Sequence, residues 1–189
     1  VMREMTVGQD AEFSLDRFES RYRADLGNDL GNLLSRLLHM AHNYLGGVVP
    51  EIKIEENLEK GLQEHWKKSR EVILEHYREY KFNLALEELF GFIRAINKYA
   101  DDRTPWKLAK SEEEVHQLEL RACIGTMLEA LRLASVAVLP VMPSIHAKIH
   151  QRLGLETIQL WNEELLWGAT LHGKKLLEKI ILFPREQNN

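Results

Sequence analysis

Residues 14–47 read SLDRFESRYRADLGNDLGNLLSRLLHMAHNYLGG, from Ser14 to Gly47, and this stretch decides the fold. Phe18, Tyr22, Leu26, Leu30, Leu33, Leu37, Met40, Ala41 and Tyr44 recur every three or four residues, the spacing of one apolar helix stripe. Ser14 offers a side-chain cap ahead of Asp16, whose charge suits a helix start, and Gly46-Gly47 stops the run. The predicted element is a single long helix. The same period continues along the chain. A second, more polar helix is predicted from about Asn57 to Glu79 through Leu62, Trp66 and Ile73, its other faces charged and solvated. A third follows from about Phe82 to Ala100, broken by Asp101-Asp102-Arg103-Thr104-Pro105. Ser111 and Glu114 have capping-box spacing before a fourth, which loses its polar face towards Val138 and so reads as buried. A short fifth helix runs from about Ser144 to Leu153, and the tail with Trp161, Trp167 and Ile180 to Pro184 is left untyped.

The totals agree with this reading. Only 5 prolines and 11 glycines punctuate 189 residues, too few for a sheet protein that turns every dozen residues. Hydrophobic residues at 44% and charged residues at 29% describe a globular chain and exclude disorder as the main state. No period of 20 to 50 residues repeats, so an all-α antiparallel bundle is preferred to a solenoid. With 25 basic against 29 acidic residues the net charge is −4, and any nucleic-acid contact has to be local. A single cysteine, Cys123, excludes an internal disulfide and a multi-thiolate zinc site, and fits a reducing, cytoplasmic setting. No apolar run is long enough to span a membrane. The chain opens at Val1 within what reads as a folded segment, so the expectation is a piece of a longer polypeptide.

Catalytic patterns are sparse. There is no phosphate-cradling glycine loop, no His-Glu-x-x-His and no Gly-x-Ser-x-Gly. His146 and His150 have the spacing of two ligands on one helix face, but nothing nearby completes a metal site, and they read as a polar face. His39 and His42 read as ordinary core or surface histidines. Two constellations carry more. Asn32 and Arg36 are four apart, so an amide and a guanidinium project together from one helix face, a donor and acceptor array suited to the edge of an unstacked base. Their alternative is an exposed polar pair. In Thr104-Pro105-Trp106, proline fixes the backbone at a helix start and presents an indole beside Lys107 and Lys110: a stacking platform with phosphate-seeking lysines, or else a core tryptophan.

Together these residues resemble the anticodon-binding domain of methionyl-tRNA synthetases, class I enzymes. Residues 1–14 are similar to the family's passage from its catalytic half. Tyr22 to Arg36, with Asn-Leu-Leu-Ser-Arg at its end, resembles the first bundle helix. Asn97 to Lys107 resembles the Pro-Trp segment, and Leu182-Phe-Pro-Arg185 the end of the family core. The resemblance implies a connector at 1–13 and a helical anticodon-binding domain at 14–189, of the class I synthetase type. It implies that Trp106 stacks on an anticodon base, that Asn32 and Arg36 read the first base of CAU, and that Asn97 supports the Trp-bearing loop, with Pro105, Lys107 and Lys110 assisting. The implied partners are the anticodon loop of tRNA(Met) and a catalytic domain of the same polypeptide. The His-Ile-Gly-His and Lys-Met-Ser-Lys-Ser motifs and the family's zinc-bearing insertion are absent, so this stretch is expected to hold no ATP, magnesium or zinc and to be inactive alone. The alternatives are the same bundle from a valyl, isoleucyl, leucyl or cysteinyl synthetase, or a helical protein-interaction scaffold.

Overall fold

The computed structural model describes residues 1–10, 12–51, 57–156, 161–168 and 171–184. Arg185, quoted above for the family resemblance, lies outside them. The opening stretch forms a continuous rod of three parts: α1 (Leu15–Arg21), a π-helical segment (Tyr22–Gly31) and α2 (Asn32–Leu45). Ser14 caps it, its hydroxyl accepting the backbone N–H of Arg17 at 3.4 Å, and Gly46 ends it in the left-handed region at φ 66°. The joints at Tyr22 and Asn32 keep right-handed helical angles, so the helical winding runs on through both. Apolar periodicity predicts one α-helix throughout; instead, ten residues are wound more widely. That winding is intrinsically poor and persists where tertiary contacts hold it. Gly31 supplies one such contact: a Cβ there would stand 3.2 Å from the Phe183 ring and 3.1 Å from the Leu26 carbonyl, so only glycine admits the ring this closely.

A helical hairpin follows, α3 (Asn57–Arg78) and α4 (Phe82–Arg103). The polar α3 buries Leu62, Trp66 and Ile73, as its stripe predicts, together with Ser69 and Leu74, while Lys60, Glu64, Lys67, Lys68, Glu71 and Glu75 on its other faces are exposed. Trp66 packs 4.8 Å from Phe92 and donates its indole N–H to the Leu165 carbonyl at 3.0 Å. The third helix also runs on through Asp101 to Arg103, and its break falls only at Thr104. After the short α5 (Pro105–Leu108), α6 (Glu114–Val138) forms the centre of the molecule. Every residue from Cys123 to Val138 is buried, as the vanishing polar face predicts. Its start departs from the capping-box expectation. Glu113 is the cap residue, and the Ser111 hydroxyl instead accepts the Glu113 N–H and meets His116 Nδ1 at 2.8 Å, one step too early for the box.

The buried face of α6 carries an ion pair. Arg132 donates to Glu129 at 2.8 and 2.9 Å, and to the carbonyls of Glu164 at 2.6 Å and Leu166 at 2.8 Å, while Glu129 accepts the Gly168 N–H at 2.9 Å. Both side chains are fully buried, so the pair is the internal anchor for α8 (Trp161–Glu164) and the turn after it. α7 (Pro143–Arg152) lays His146 and His150 against α6. The two imidazoles are buried at 5% and 4% exposure with ring centroids 4.0 Å apart, which corrects the expectation of a polar face. The tail then returns to the end of the rod, where Val48 and Lys175 form an antiparallel bridge and Leu176 N–H reaches the Gly47 carbonyl at 2.8 Å. Among the described residues there is no strand beyond that bridge, and no helix is long and apolar enough to cross a membrane.

Candidate nucleic-acid interface

The chain turns sharply between α4 and α5, and that turn builds the interface. Thr104 sits at φ 46°, ψ 54°, serving at once as the last cap of α4 and the first of α5. A β-branched residue is strained there, at a cost of about 1–3 kcal/mol. Its N–H bonds the Ala100 carbonyl at 3.0 Å and its carbonyl accepts from Lys107 at 2.8 Å, so the strained corner is held on both sides. Pro105, buried, occupies the first position of α5, where its missing N–H is no loss. Trp106 therefore leaves a backbone with little freedom. It is half-buried, rather than the core tryptophan that its bare pattern also allowed.

Arg36 faces it across the bundle. Its guanidinium lies 5.9 Å over the Trp106 ring, and Nη2 donates to Asp101 Oδ1 at 3.3 Å. Arg36 and Asp101 are 41% and 66% exposed, so their ion pair is screened and contributes no more than about 1 kcal/mol. Asn32, exposed, stands one helical turn before Arg36, on the flank of the buried stripe of Leu33, Leu34, Leu37 and Leu38. It also lines a groove of about 990 Å³ between the rod and the returning tail, together with Asn28, Tyr22 and Phe183. Lys107 and Lys110 are exposed beside the indole.

Asn97 acts differently from the expectation. Its amide donates to the carbonyls of Asp29 at 3.2 Å and Ile93 at 3.3 Å, so it ties α4 to the π segment and not to the Trp-bearing loop. The tie falls three residues before Asn32. Asp29 is fixed there a second time, with Arg94 Nη1 at 3.6 Å from its carboxylate, although burial still pushes that carboxyl above its ordinary range. Asp101 and Asp29 are the residues that sequence reasoning misses. Asp101 is visible there only as part of a helix breaker, and no spacing rule pairs it with a residue 65 positions away.

The geometry sets a cation, an amide and an aromatic face close together on the surface. Burial pushes the Cys123 thiol up to about 12, far from thiolate character at neutral pH. Among the described residues no group of three His, Cys, Asp or Glu side chains could hold a metal ion.

No protein-family model matches the chain. Individual relatives do. The chain is 35% identical over 187 residues to a methionine–tRNA ligase of Deinococcus radiodurans and 34% identical over 190 residues to that of Caldanaerobacter subterraneus subsp. tengcongensis, covering 99% and 98% of its own length. It superposes on the free-state methionyl-tRNA synthetase of Mycobacterium tuberculosis with a TM-score of 0.92 at 32% identity, over 100% of its length. From end to end, the chain is similar to one part of methionyl-tRNA synthetases. It spans 27% and 29% of the two ligases and 38% of the solved synthetase. A second mycobacterial methionyl-tRNA synthetase structure, with methionyl-adenylate, matches with a TM-score of 0.90 and covers 36% of that chain. The likeness to methionyl-tRNA synthetases thus extends through the rod, the Thr104-Pro105-Trp106 corner and the tail alike.

Proposed function

We propose that this chain is the anticodon-binding part of a methionine–tRNA ligase, in which Trp106, Asn32 and Arg36 capture the CAU anticodon of tRNA(Met). The observation that carries this reading is the Arg36 guanidinium poised over a half-exposed Trp106, one helical turn from Asn32. A loop nucleotide unstacked from its neighbours regains stacking on the indole, and its edge meets the amide and guanidinium. A base with the wrong donors and acceptors leaves Asn32 or Arg36 unmatched, which typically disfavours it by about 1–3 kcal/mol. Lys107 and Lys110 attract the backbone phosphates, and Asn97 fixes the rod that carries Asn32. In this reading residues 1–13 connect to a catalytic domain of the same polypeptide and 14–189 form the binding domain. ATP and its magnesium are handled by that catalytic domain, which attaches methionine. The test is a titration of the chain with hairpins bearing CAU and each single-base variant of it. Affinity falling most when the first anticodon base is changed supports the assignment; equal affinity for all hairpins refutes it.

A further inference from the structure

The first residues of the chain are built into the bundle, and in a way that bears on Asn32. Asp25 lies in the π segment and is only 6% exposed. A carboxylate so buried needs a charged or multiply bonded partner, since an unpaired ion away from water is very costly. Its partner comes from outside the rod: Arg3 donates to Asp25 Oδ2, and the Arg3 guanidinium sits 5.3 Å over the ring of Phe90, a buried residue of α4. Arg21 adds to the same oxygen at 3.8 Å and is itself held by Glu4, its Nε donating at 2.6 Å. Arg3 therefore joins three elements at one point: the opening residues, the π segment and α4. One turn further on, Asn97 and Arg94 of α4 hold Asp29. The wide winding between these ties ends at Gly31, and Asn32 and Arg36 follow without a break in the rod.

We propose that the Arg3–Asp25 contact is a clasp that sets the position of Asn32 and Arg36, which makes Arg3 a positioning residue for base recognition although it is 29 positions away from Asn32 in the sequence. The inference rests on the RNA-binding reading for its functional half and on the rod for its mechanical half. A π segment is intrinsically less favourable than the α winding and persists where its surroundings hold it, so releasing one tie lets it rewind, and rewinding turns Asn32 and Arg36 about the helix axis relative to α4.

The test uses Arg3→Gln and Arg3→Lys in the full chain, with Trp106→Ala as a control. Two quantities are read: affinity for the CAU hairpin against one with its first anticodon base changed, and amide hydrogen exchange across Tyr22–Gly31. For Arg3→Gln we expect at least fivefold weaker CAU binding with reduced discrimination, about tenfold faster exchange confined to the π segment, and unchanged helical circular dichroism. Arg3→Lys should recover part of both. If Arg3→Gln leaves binding and exchange within twofold of the original, or if affinity falls only together with exchange over the whole bundle, the clasp is overturned. If Trp106→Ala also binds as before, the RNA reading fails separately, and exchange alone then decides the clasp: faster exchange in the π segment supports it, and unchanged exchange overturns it.

Discussion

Trp106→Ala gives the most direct reading of the interface, because its expected effect follows from three competing contacts. A stacked base gains about 1–3 kcal/mol on an indole. Against that stands the present cover of the ring by Arg36 at 5.9 Å, a partly exposed cation–π contact of about 0.5–1 kcal/mol, and the Arg36–Asp101 pair, of about 0.2–1 kcal/mol at this exposure. At mid-range values, about 2 kcal/mol of stacking against about 0.75 and about 0.6 kcal/mol for the two displaced contacts, the base prevails by roughly 0.7 kcal/mol, so the alanine variant should bind the CAU hairpin about threefold more weakly. Trp106→Phe keeps a smaller aromatic face and should lose less than half of that free energy. The assay is fluorescence anisotropy of a labelled hairpin at fixed salt, with urea unfolding in parallel. Trp106 lies on a four-residue helix and is half-buried, so its removal should move the urea midpoint little. Trp66→Ala, at 2% exposure and with its indole N–H bonded to Leu165, should cost about 3–5 kcal/mol of stability. A Trp106→Ala chain that stays folded and binds within twofold of the original refutes the stacking argument.

Three further outcomes follow from the same geometry. Glu129→Gln leaves the fully buried Arg132 with the partly exposed Glu164 carboxylate at 3.3 Å as its remaining anionic partner and should lower unfolding free energy by up to about 3–5 kcal/mol in urea titrations; a loss under about 1 kcal/mol would show that Glu164 alone compensates the charge. Burial, and secondly the neighbouring His146, holds His150 down at about 4 from the ordinary 6.5, so the folded state binds fewer protons than the unfolded one. The stability this represents is complete above pH 6.5, is lost as pH falls from there towards 4, and amounts to about 3 kcal/mol; His150→Phe should flatten that part of a pH-dependent melt, and an identical acid slope in the variant contradicts the assignment. Asp101→Asn releases Arg36 and removes an anion beside the indole, so hairpin affinity should rise about two- to fivefold, and weaker binding would mean that Asp101 orients Arg36 for the base.

Much of the fold is legible because helices write themselves in period. Leu30, Leu33 and Leu37 are spaced as one stripe and are buried as one, and the vanishing polar face of α6 corresponds to sixteen consecutive buried residues from Cys123 to Val138. Three features escape that reasoning. The π winding of Tyr22–Gly31 and the buried His146–His150 pair depend on packing against other elements, and the αL corner at Thr104, held locally by Ala100 and Lys107, goes against the preference of a β-branched residue. Ser111 and Glu114 show the converse failure. Their spacing is right for a capping box, but Ser111 is drawn to His116 and to the Glu113 N–H, and the helix starts later. In the interface, Asn32 with Arg36 is legible as a helix spacing and Pro105-Trp106 as a rigid dipeptide. That Arg36 meets Trp106 is a fact of packing, and Asn97, assigned to the Trp-bearing loop by resemblance, is found bracing the rod.

The charge of the chain constrains how such an interface discriminates. A net charge of −4 repels RNA at long range, and Asp101 and Asp102 are exposed on the last turn of α4, just before the Trp-bearing corner. Arg36, Lys107 and Lys110 are the cations set nearest the indole in contact or sequence, and Arg36 is partly engaged with Asp101 at 3.3 Å, as Lys98 is with Asp102 at 2.8 Å. On the proposed RNA-binding reading, phosphate attraction therefore contributes little to holding an arbitrary loop, and binding rests on base contacts that a matching loop completes. The salt dependence measures this balance. Each neutralised phosphate of a single strand contributes about −0.7 to the slope of log affinity against log salt, so three local cations give a slope near −2. A slope of about −5 or steeper would mean that a basic surface elsewhere on the molecule carries the affinity, and with it the selectivity argued for Trp106, Asn32 and Arg36 would lose its basis.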